Sequence, residues 1–464
     1  MLDNTLSTIR RFIPKKIFSF FQPAYHKTLS FMATLWYGFP SKKIKVIAVT
    51  GTKGKSSTVE IITAILEEAG FKTALSNTIR FKIGSDSKPN LFKMSTPGRF
   101  FLQKLLRKAV SEGCQYAVIE LTSQGALLFR HRFIELDAFI FTNIQPEHIE
   151  AHGSLENYID AKVSICRNIS DSKKKNRVII ANKDDKECDR FLECQADRKI
   201  SYGLKDAEPY KIYDTASELK EATQNPTKAL NSTNDSSAPI HSSDQITNVS
   251  GIEFTLNGKT AHSPLNGLFN LYNILAATST AKSQGVSDEV IIKAIEKFKD
   301  IPGRVQKIEE SKIDFTVVVD YAHTTDSLEK LYQAFDSQRK ICVLGGTGGG
   351  RDTWKRKEMG KIADAFCDEI ILTNEDPYDE DPDQIVSQIA EGIVKHKAAI
   401  IMDRRKAIEE AVKMARKRDA VLITGKGTDP YIMGPDNSKE VWSDAEEARK
   451  AIRSAQGAST QERK

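Results

Sequence analysis

Cysteine is scarce in this sequence: six residues, at 114, 166, 188, 194, 342 and 367, with no C-x-x-C pair among them. That spacing argues against a zinc ribbon or a disulfide framework and suits a reducing, cytoplasmic compartment. Charge of one sign is lacking too. The 68 basic residues face 62 acidic ones, so the formal +6 is far from the dense basic stripe of a nucleic-acid binder, and no nucleic-acid partner is expected. Long apolar runs are missing as well. The nearest approach is IRRFIPKKIFSFFQPAYHKTLSFMATLWYGFP, residues 9–40, which Pro14, Lys15, Lys16, Pro23, His26 and Lys27 interrupt. It never reaches the roughly 20 apolar residues of a membrane-spanning helix, and no small-residue cleavage site follows it. No transmembrane segment is expected there. The segment reads as one or two amphipathic helices packed on the body of the protein, with peripheral membrane contact as the alternative.

What is present is a long α/β chain. Its 464 residues exceed one ordinary core. The β-branched runs KIKVIAVTG, YAVIEL, AFIFTNI, RVIIAN, FTVVVDYA, KICVLGG, EIILTN and AVLITGKG alternate with helical stretches such as TTDSLEKLYQAF and DPDQIVSQIAEGIVKH. Alternation of that kind predicts mainly parallel sheets covered by helices. Between 220 and 248 the chain becomes polar and Ser/Asn-rich, a surface excursion or linker, and GIEFTLNGKTAHSPLNG after it reads as short antiparallel strands. Pro302 and Gly303 mark a boundary, and the closing RSAQGASTQERK is expected to fray.

The most specific local signal is VTGTKGKSST, between a strand and a helix. Gly51 and Gly54 let backbone amides turn toward an anion, Lys55 reaches terminal phosphates, and Ser56 or Ser57 can ligate Mg²⁺ at the helix N-terminus, with Thr52 and Lys53 completing the loop. A kinase, a GTPase, a motor and a ligase all fit such a loop. Further on, Glu120 ends a strand where a carboxylate meets phosphate-bound Mg²⁺, and His148 follows another strand end in a position for a second metal. Each also has an ordinary structural reading when taken singly.

Together with VIELTSQGALLFRHRF, FTNIQPEHIEAHG and YIDAK, the loop resembles the central ATPase domain of the Mur ligases, specifically the MurE type. The resemblance implies a P-loop ATPase domain at 44–301, a C-terminal Rossmann-like α/β domain at 302–464 and a short helical segment at 1–43. It implies that Lys162 is carboxylated by CO₂ to N6-carboxylysine, an anion that helps hold a second Mg²⁺. It assigns Ser95 and Thr96 of MSTPGR, with Thr122, Ser123 and Arg130, to the acceptor substrate, and Asn143 to the nucleotide side. Lys53 stands where the family usually has Asn, and Pro146-Glu147 where it often has a residue and Asp.

In the second half, LNGLFNLYNILAA resembles the family's helix entry, which implies Asn270 and Asn273 for the adenine side, although Asn at a helix start is also an ordinary cap. On the resemblance, Arg304 reaches nucleotide phosphate, Asp320 reaches the ribose, and Tyr321 and His323 shape the cleft. Arg351, Asp352, Lys355 and Arg356 would line the C-terminal side of the site. Diaminopimelate-adding MurE enzymes carry an arginine after the proline of the segment that reads EDPY here, where Tyr378 stands instead. Gly425 and Lys426 are kept in GKGTD, with Asp429 left as a carboxylate for the incoming ammonium. The bidentate guanidinium clamp is missing. Glu375 and Asp376 beside it put a cationic side chain such as lysine's on equal terms with diaminopimelate, although acidic residues also serve the helix that follows.

The expected activity is ATP-dependent amide formation through an acyl phosphate, with ATP and Mg²⁺, a UDP-MurNAc-dipeptide-like acceptor and an amino acid, in a monomeric cytoplasmic enzyme. MurE enzymes usually carry a separate uridine-nucleotide lobe where residues 1–43 stand here, so a Mur-like ligase with a non-UDP acceptor is the first alternative. A folylpolyglutamate-type ligase is disfavoured by DYAHT and TSQG. A regulatory nucleotide-binding protein with a decayed site is disfavoured by intact Lys55, Glu120, His148, Lys162 and Arg304.

Overall fold

The computed structural model describes residues 15–147, 149–213, 251–310, 313–350 and 352–461. His148, Arg351 and the polar 220–248 excursion lie outside them. Two compact units are present, one drawn from residues up to Asp206 and from Tyr272–Ala294, the other from Ala207–Leu271 and Ile295 onward.

The first unit opens with helix α1 (Lys15–Trp36), then runs β1 (Lys45–Thr50), α2 (Lys55–Glu68), β2 (Thr73–Ser76), β3 (Arg80–Ile83), β4 (Asp86–Pro89), α3 (Arg99–Ser111), β5 (Tyr116–Glu120) and α4 (Ser123–Leu127). It continues through β6 (Ala138–Phe141), α5 (Ile149–His152), α6 (Leu155–Ser170), β7 (Val178–Asn182), α7 (Cys188–Leu192) and β8 (Arg198–Tyr202). The eight strands form one sheet in the order β4-β3-β2-β5-β1-β6-β7-β8, parallel except for β3 and β4. Alternate residues face opposite sides, so Val46, Ala48, Ala117, Ile119, Phe139 and Phe141 share one core with Leu102 and Leu106 of α3 and Ile165 and Ile169 of α6. Helix α2 stops at Gly70, whose φ of +86° suits glycine. The Gly70 and Phe71 amides return to the carbonyls of Glu67 and Leu66, which satisfies the last turn.

The second unit contains β9 (Lys211–Tyr213), β10 (Gly251–Leu256) and β11 (Lys259–Ser263) as a small antiparallel sheet, as the sequence of that segment predicts. Helix α8 (Leu268–Ser283) crosses the division between the units, and α9 (Asp288–Lys297) follows. Then come β12 (Gln306–Lys307), β13 (Thr316–Val319), α10 (Thr325–Gln333), β14 (Lys340–Leu344), α11 (Lys355–Phe366), β15 (Glu369–Leu372) and α12 (Pro382–Ala390). The chain ends with β16 (Ala399–Ile400), α13 (Arg404–Met414), β17 (Ala420–Ile423), the hairpin β18 (Tyr431–Met433) and β19 (Lys439–Val441), and α14 (Asp444–Gln461). A six-stranded sheet, β12-β13-β17-β14-β15-β16, is parallel apart from β12. One face packs on α10, α11 and α12, the other on α13 and α14. Both units are therefore α/β layers of mainly parallel sheet.

Helix α14 is anchored to the sheet by Ala448, Ala451 and Ile452 and runs to Gln461, the last described residue. One expectation is corrected: cysteine is not wholly unpaired. The β14–α11–β15 crossover brings Cys342 and Cys367 together, Cα atoms 6.1 Å apart, as a buried disulfide.

Candidate active site

In the first unit the strand order reverses at β1, and the carboxyl ends of β1, β5 and β6 meet there, where α/β sheets bind ligands. The loop after β1 is shaped by two glycines. Gly51 has φ of +149°, and a Cβ there would lie 1.9 Å from Thr142 Oγ1; Gly54, φ +80°, would collide with Asn273 Oδ1 at 2.2 Å. Asn143 binds the loop from below, accepting from the Lys53 amide at 2.9 Å and donating to the Lys53 carbonyl at 3.2 Å. The Thr52 hydroxyl meets Tyr158 OH at 2.9 Å, and Lys55 Nζ donates to the Thr52 carbonyl at 2.7 Å. Asn273 of α8 thus sits under the loop, and its Oδ1 accepts from Thr58 at 3.3 Å. Asn270, one turn earlier, instead gives its amide to the Asn266 carbonyl at 2.7 Å.

Glu120, at the end of β5, is buried and accepts from Ser56 Oγ at 2.7 Å and from the Thr78 amide and hydroxyl at 3.1 Å. Ser57, the next residue of α2, is buried as well. Lys162 lies on the core face of α6, one turn after Tyr158. Its Nζ donates to the Gly51 carbonyl at 2.6 Å and stands 4.6 Å from the Tyr158 ring centroid. Only 2% of Lys162 is exposed. Burial, and then the Lys55 ammonium, push its amine well below the ordinary lysine value against the pull of Glu147 and Glu120. A buried lysine held toward its neutral form is the species that reacts with CO₂.

Among the described residues no three His, Cys, Asp or Glu side chains cluster as a ready-made metal site. Mg²⁺ does not require one. It is commonly held by one or two carboxylates together with substrate phosphates, and the hydroxyl of Ser56 against the Glu120 carboxylate is a hard-oxygen pair that fits it.

Beside this pair lie the residues that the resemblance assigns to the acceptor. Thr78 Oγ1 donates to Ser95 Oγ at 2.6 Å, Thr96 Oγ1 meets Thr122 Oγ1 at 3.1 Å, and Thr122 caps α4 by accepting from the Gly125 amide. Ser123 Oγ is 3.1 Å from His152 Nε2, and Arg130 donates to the Thr96 carbonyl. Burial, then Arg99 and Arg130, lower the value of His26, so two guanidiniums create a positive field on this side. Such a field suits an anionic acceptor.

The second unit carries the other group. Asp320 ends β13 and accepts from the Val305 amide at 2.7 Å and the Ala322 amide at 2.6 Å, which fixes the turn bearing Arg304. The Arg304 guanidinium stacks over Tyr321 at 4.4 Å, and His323 Nδ1 lies 2.7 Å from the Tyr321 carbonyl. Lys426 is fully buried, bound to Asp376 at 2.7 Å and Asp429 at 3.3 Å. Glu375 accepts from Thr347 at 2.8 Å through one oxygen, while its Oε2 has no hydrogen-bond partner among the described residues. That oxygen faces Gly425, where a Cβ would come within 2.2 Å. Burial, and Asp376 next to it, raise the Glu375 carboxyl against Arg404 and Lys426. Tyr378 holds φ at +54° and gives its amide to Met433. Arg356 does not line a cleft: it is buried and tied to Glu380 and Gln388.

The Mur ligase middle domain matches residues 49–281, and the Mur ligase glutamate ligase domain matches residues 303–427. This chain belongs to the Mur ligase family. It is 34% identical over 424 residues to the UDP-N-acetylmuramoyl-L-alanyl-D-glutamate–2,6-diaminopimelate ligase of Syntrophomonas wolfei, covering 90% of this chain and 80% of that one. With the ligase of the same name from Bacillus cereus it shares 31% over 440 residues, 92% and 82% of the two chains. A solved structure of a protein bearing that name aligns at TM-score 0.57 and 26% identity, covering 89% and 79%. The folylpolyglutamate synthase of Mycobacterium tuberculosis aligns at 0.64 but 14% identity, covering 92% and 95%, which speaks for the fold alone.

Of the residues that join these groups, Thr78 gave no sequence signal, while Tyr158 and Glu147 stand in the YIDAK and FTNIQPEHIEAHG segments with no role assigned to them from the sequence. Thr78 joins Glu120 to Ser95 from a turn that reads as an unremarkable SNTIR. Tyr158 touches both Thr52 and Lys162, and one helical turn between Tyr158 and Lys162 was the available clue. Glu147 pairs with Lys53 at 3.0 Å.

Proposed function

We propose that this Mur ligase makes an amide bond in peptidoglycan precursor synthesis, joining an amino acid to UDP-MurNAc-L-Ala-D-Glu at the expense of ATP. The observation that carries the reading is Lys162, a buried amine beneath the phosphate loop and within the field of Glu120. We assign it as N6-carboxylysine. With Ser56, Glu120 and His148 it would hold Mg²⁺, which when bound neutralises phosphate charge. The loop amides and Lys55 orient the terminal phosphate of ATP, with Thr52, Lys53, Gly51, Gly54, Ser57, Asn143 and Asn273 shaping the loop, while Arg304, Asp320 and Asn270 serve the nucleotide. Ser95, Thr96, Thr122, Ser123 and Arg130 position the acceptor carboxylate, which takes the phosphoryl group as ADP leaves. The amino group then attacks the acyl carbon and phosphate departs.

The amine is assigned to Glu375, Asp376, Tyr378, Gly425 and Asp429, and Arg351, outside the described residues, is assigned to the same substrate. Four carboxylates, Glu375, Asp376, Asp429 and Asp444, stand against two cations, Lys426 and Arg404, in this group. The surplus negative charge favours an amino acid with a distal ammonium, which lysine and diaminopimelate share. Tyr378 provides no guanidinium for the distal carboxylate that only diaminopimelate carries. The reaction is placed in the cytoplasm, with the enzyme as a monomer. Lys162→Ala tests the assignment: ligase activity should fall by about a hundredfold or more and return in part with added short carboxylates. A regulatory nucleotide binder would show neither the loss nor the rescue.

A further inference from the structure

Helix α1 is inside out. Beside buried Ala33, its inward residues are polar: His26 lies 2.9 Å from Arg99, Ser30 donates to the Phe129 carbonyl at 2.8 Å, and Thr34 accepts from Gln103 at 2.8 Å. Its large apolar side chains face outward, alongside exposed Lys27 and Thr28. Phe21 is 61% exposed, Met32 51%, Leu35 57% and Trp36 80%, with Tyr25 on the same stripe, at spacings of four, seven, three and one. A surface helix normally buries that face. An exposed apolar stripe of this length marks a docking surface.

Charge identifies what docks. Between Asp3 and Glu60 the sequence contains no acidic residue, while Arg10, Arg11, Lys15, Lys16 and Lys27 all fall within it. Helix α3, on which α1 packs, also lacks acidic residues and exposes Phe100, Lys104 and Arg107. Two such faces repel each other, which disfavours a second copy. Aromatic and aliphatic side chains interleaved with lysines are the composition of a helix that lies in the headgroup region of an anionic bilayer, apolar face down. Among the described residues no helix is long and apolar enough to cross a membrane, so contact at the surface is what this helix can make.

We propose that α1 docks this ligase on the surface of an anionic lipid bilayer through Phe21, Tyr25, Met32, Leu35 and Trp36. The contact lies next to the acceptor side of the site: Ser30 and His26 hold the backbone of Phe129 and the side chain of Arg99, and Arg99 in turn binds the Leu128 carbonyl. Docking therefore bears on the loop that carries Arg130. The inference does not depend on which amino acid is added.

The test is cosedimentation of the full chain with sucrose-loaded vesicles of phosphatidylcholine alone and of phosphatidylcholine with phosphatidylglycerol, at low salt. The expected result is binding to the phosphatidylglycerol vesicles only, with blue-shifted emission that Trp36→Phe removes. The Phe21→Ser, Trp36→Ser double variant should bind roughly tenfold more weakly or worse, and Lys27→Glu should weaken binding while keeping the stripe. Both should retain soluble ligase activity and the wild-type melting profile, because the altered side chains face outward. No vesicle binding at either composition, or binding unchanged in the double variant, overturns the proposal. A concentration-dependent dimer lost in the double variant, without vesicle binding, would assign the face to a second copy and overturn it equally.

Discussion

Lys53 and Glu147 both depart from the usual residues of this family, and the structure pairs them at 3.0 Å with side chains 28% and 12% exposed. Lys53 lies on the phosphate loop and Glu147 on the segment after β6, so the pair ties these two segments together. Lys53→Glu alone should destabilise the protein and raise the KM for ATP, whereas adding Glu147→Lys should recover much of the loss. A double-mutant cycle by urea denaturation should give a coupling of about 1 kcal/mol, the scale of a partly screened pair. Glu375 makes the opposite case, a carboxylate held at a cost. Burial first and Asp376 second raise its carboxyl, so its contribution to stability is present below the unfolded value of 4.5 and is lost as pH rises through the folded value. Glu375→Gln is thus expected to raise the melting temperature at neutral pH while raising the KM for the amino acid. A variant less stable than the parent at neutral pH would show that Glu375 is satisfied in some other way.

Two helix starts hold together the region proposed for the amine. Arg404 opens α13 and Asp444 opens α14, and their side chains form a fully buried bidentate pair at 2.8 and 2.7 Å. Arg404 also donates to the Thr424 carbonyl at 2.7 Å, and Trp442 Nε1 donates to Asp444 at 2.8 Å. The strand end leading into Gly425 and Lys426 is thereby fixed from behind. Asp444→Ala leaves a buried guanidinium without its counter-ion and should cost about 3–5 kcal/mol. The apolar double replacement Arg404→Met, Asp444→Leu should cost less, since no charge is stranded; urea melts of the two variants decide it. No sequence pattern marks this pair, because forty residues and one crossover separate its members.

At the scale of the whole chain, both α/β units were legible because buried parallel strands are written as short β-branched runs. The phosphate loop could be read from its glycines and lysine between a strand and a helix, whereas Lys162 and the EDPY and GKGTD segments were singled out by the family resemblance, and their roles are proposals. What was not legible depends on contacts between distant segments: the Cys342–Cys367 bond, made by a β-α-β crossover, Thr78 beneath Glu120, and the reversed polarity of α1, whose inward face is set by Arg99, Gln103 and Phe129. Amphipathicity could be read from that helix, but not which side would be turned inward. For the chain as a ligase, the most direct measurement is ADP release and product mass with ATP, Mg²⁺, UDP-MurNAc-L-Ala-D-Glu and a panel of amino acids. The expected result is ADP release that depends on the amino acid, with lysine used at least as well as diaminopimelate and a product heavier by one amino-acid residue. ADP release that no amino acid stimulates would contradict the account.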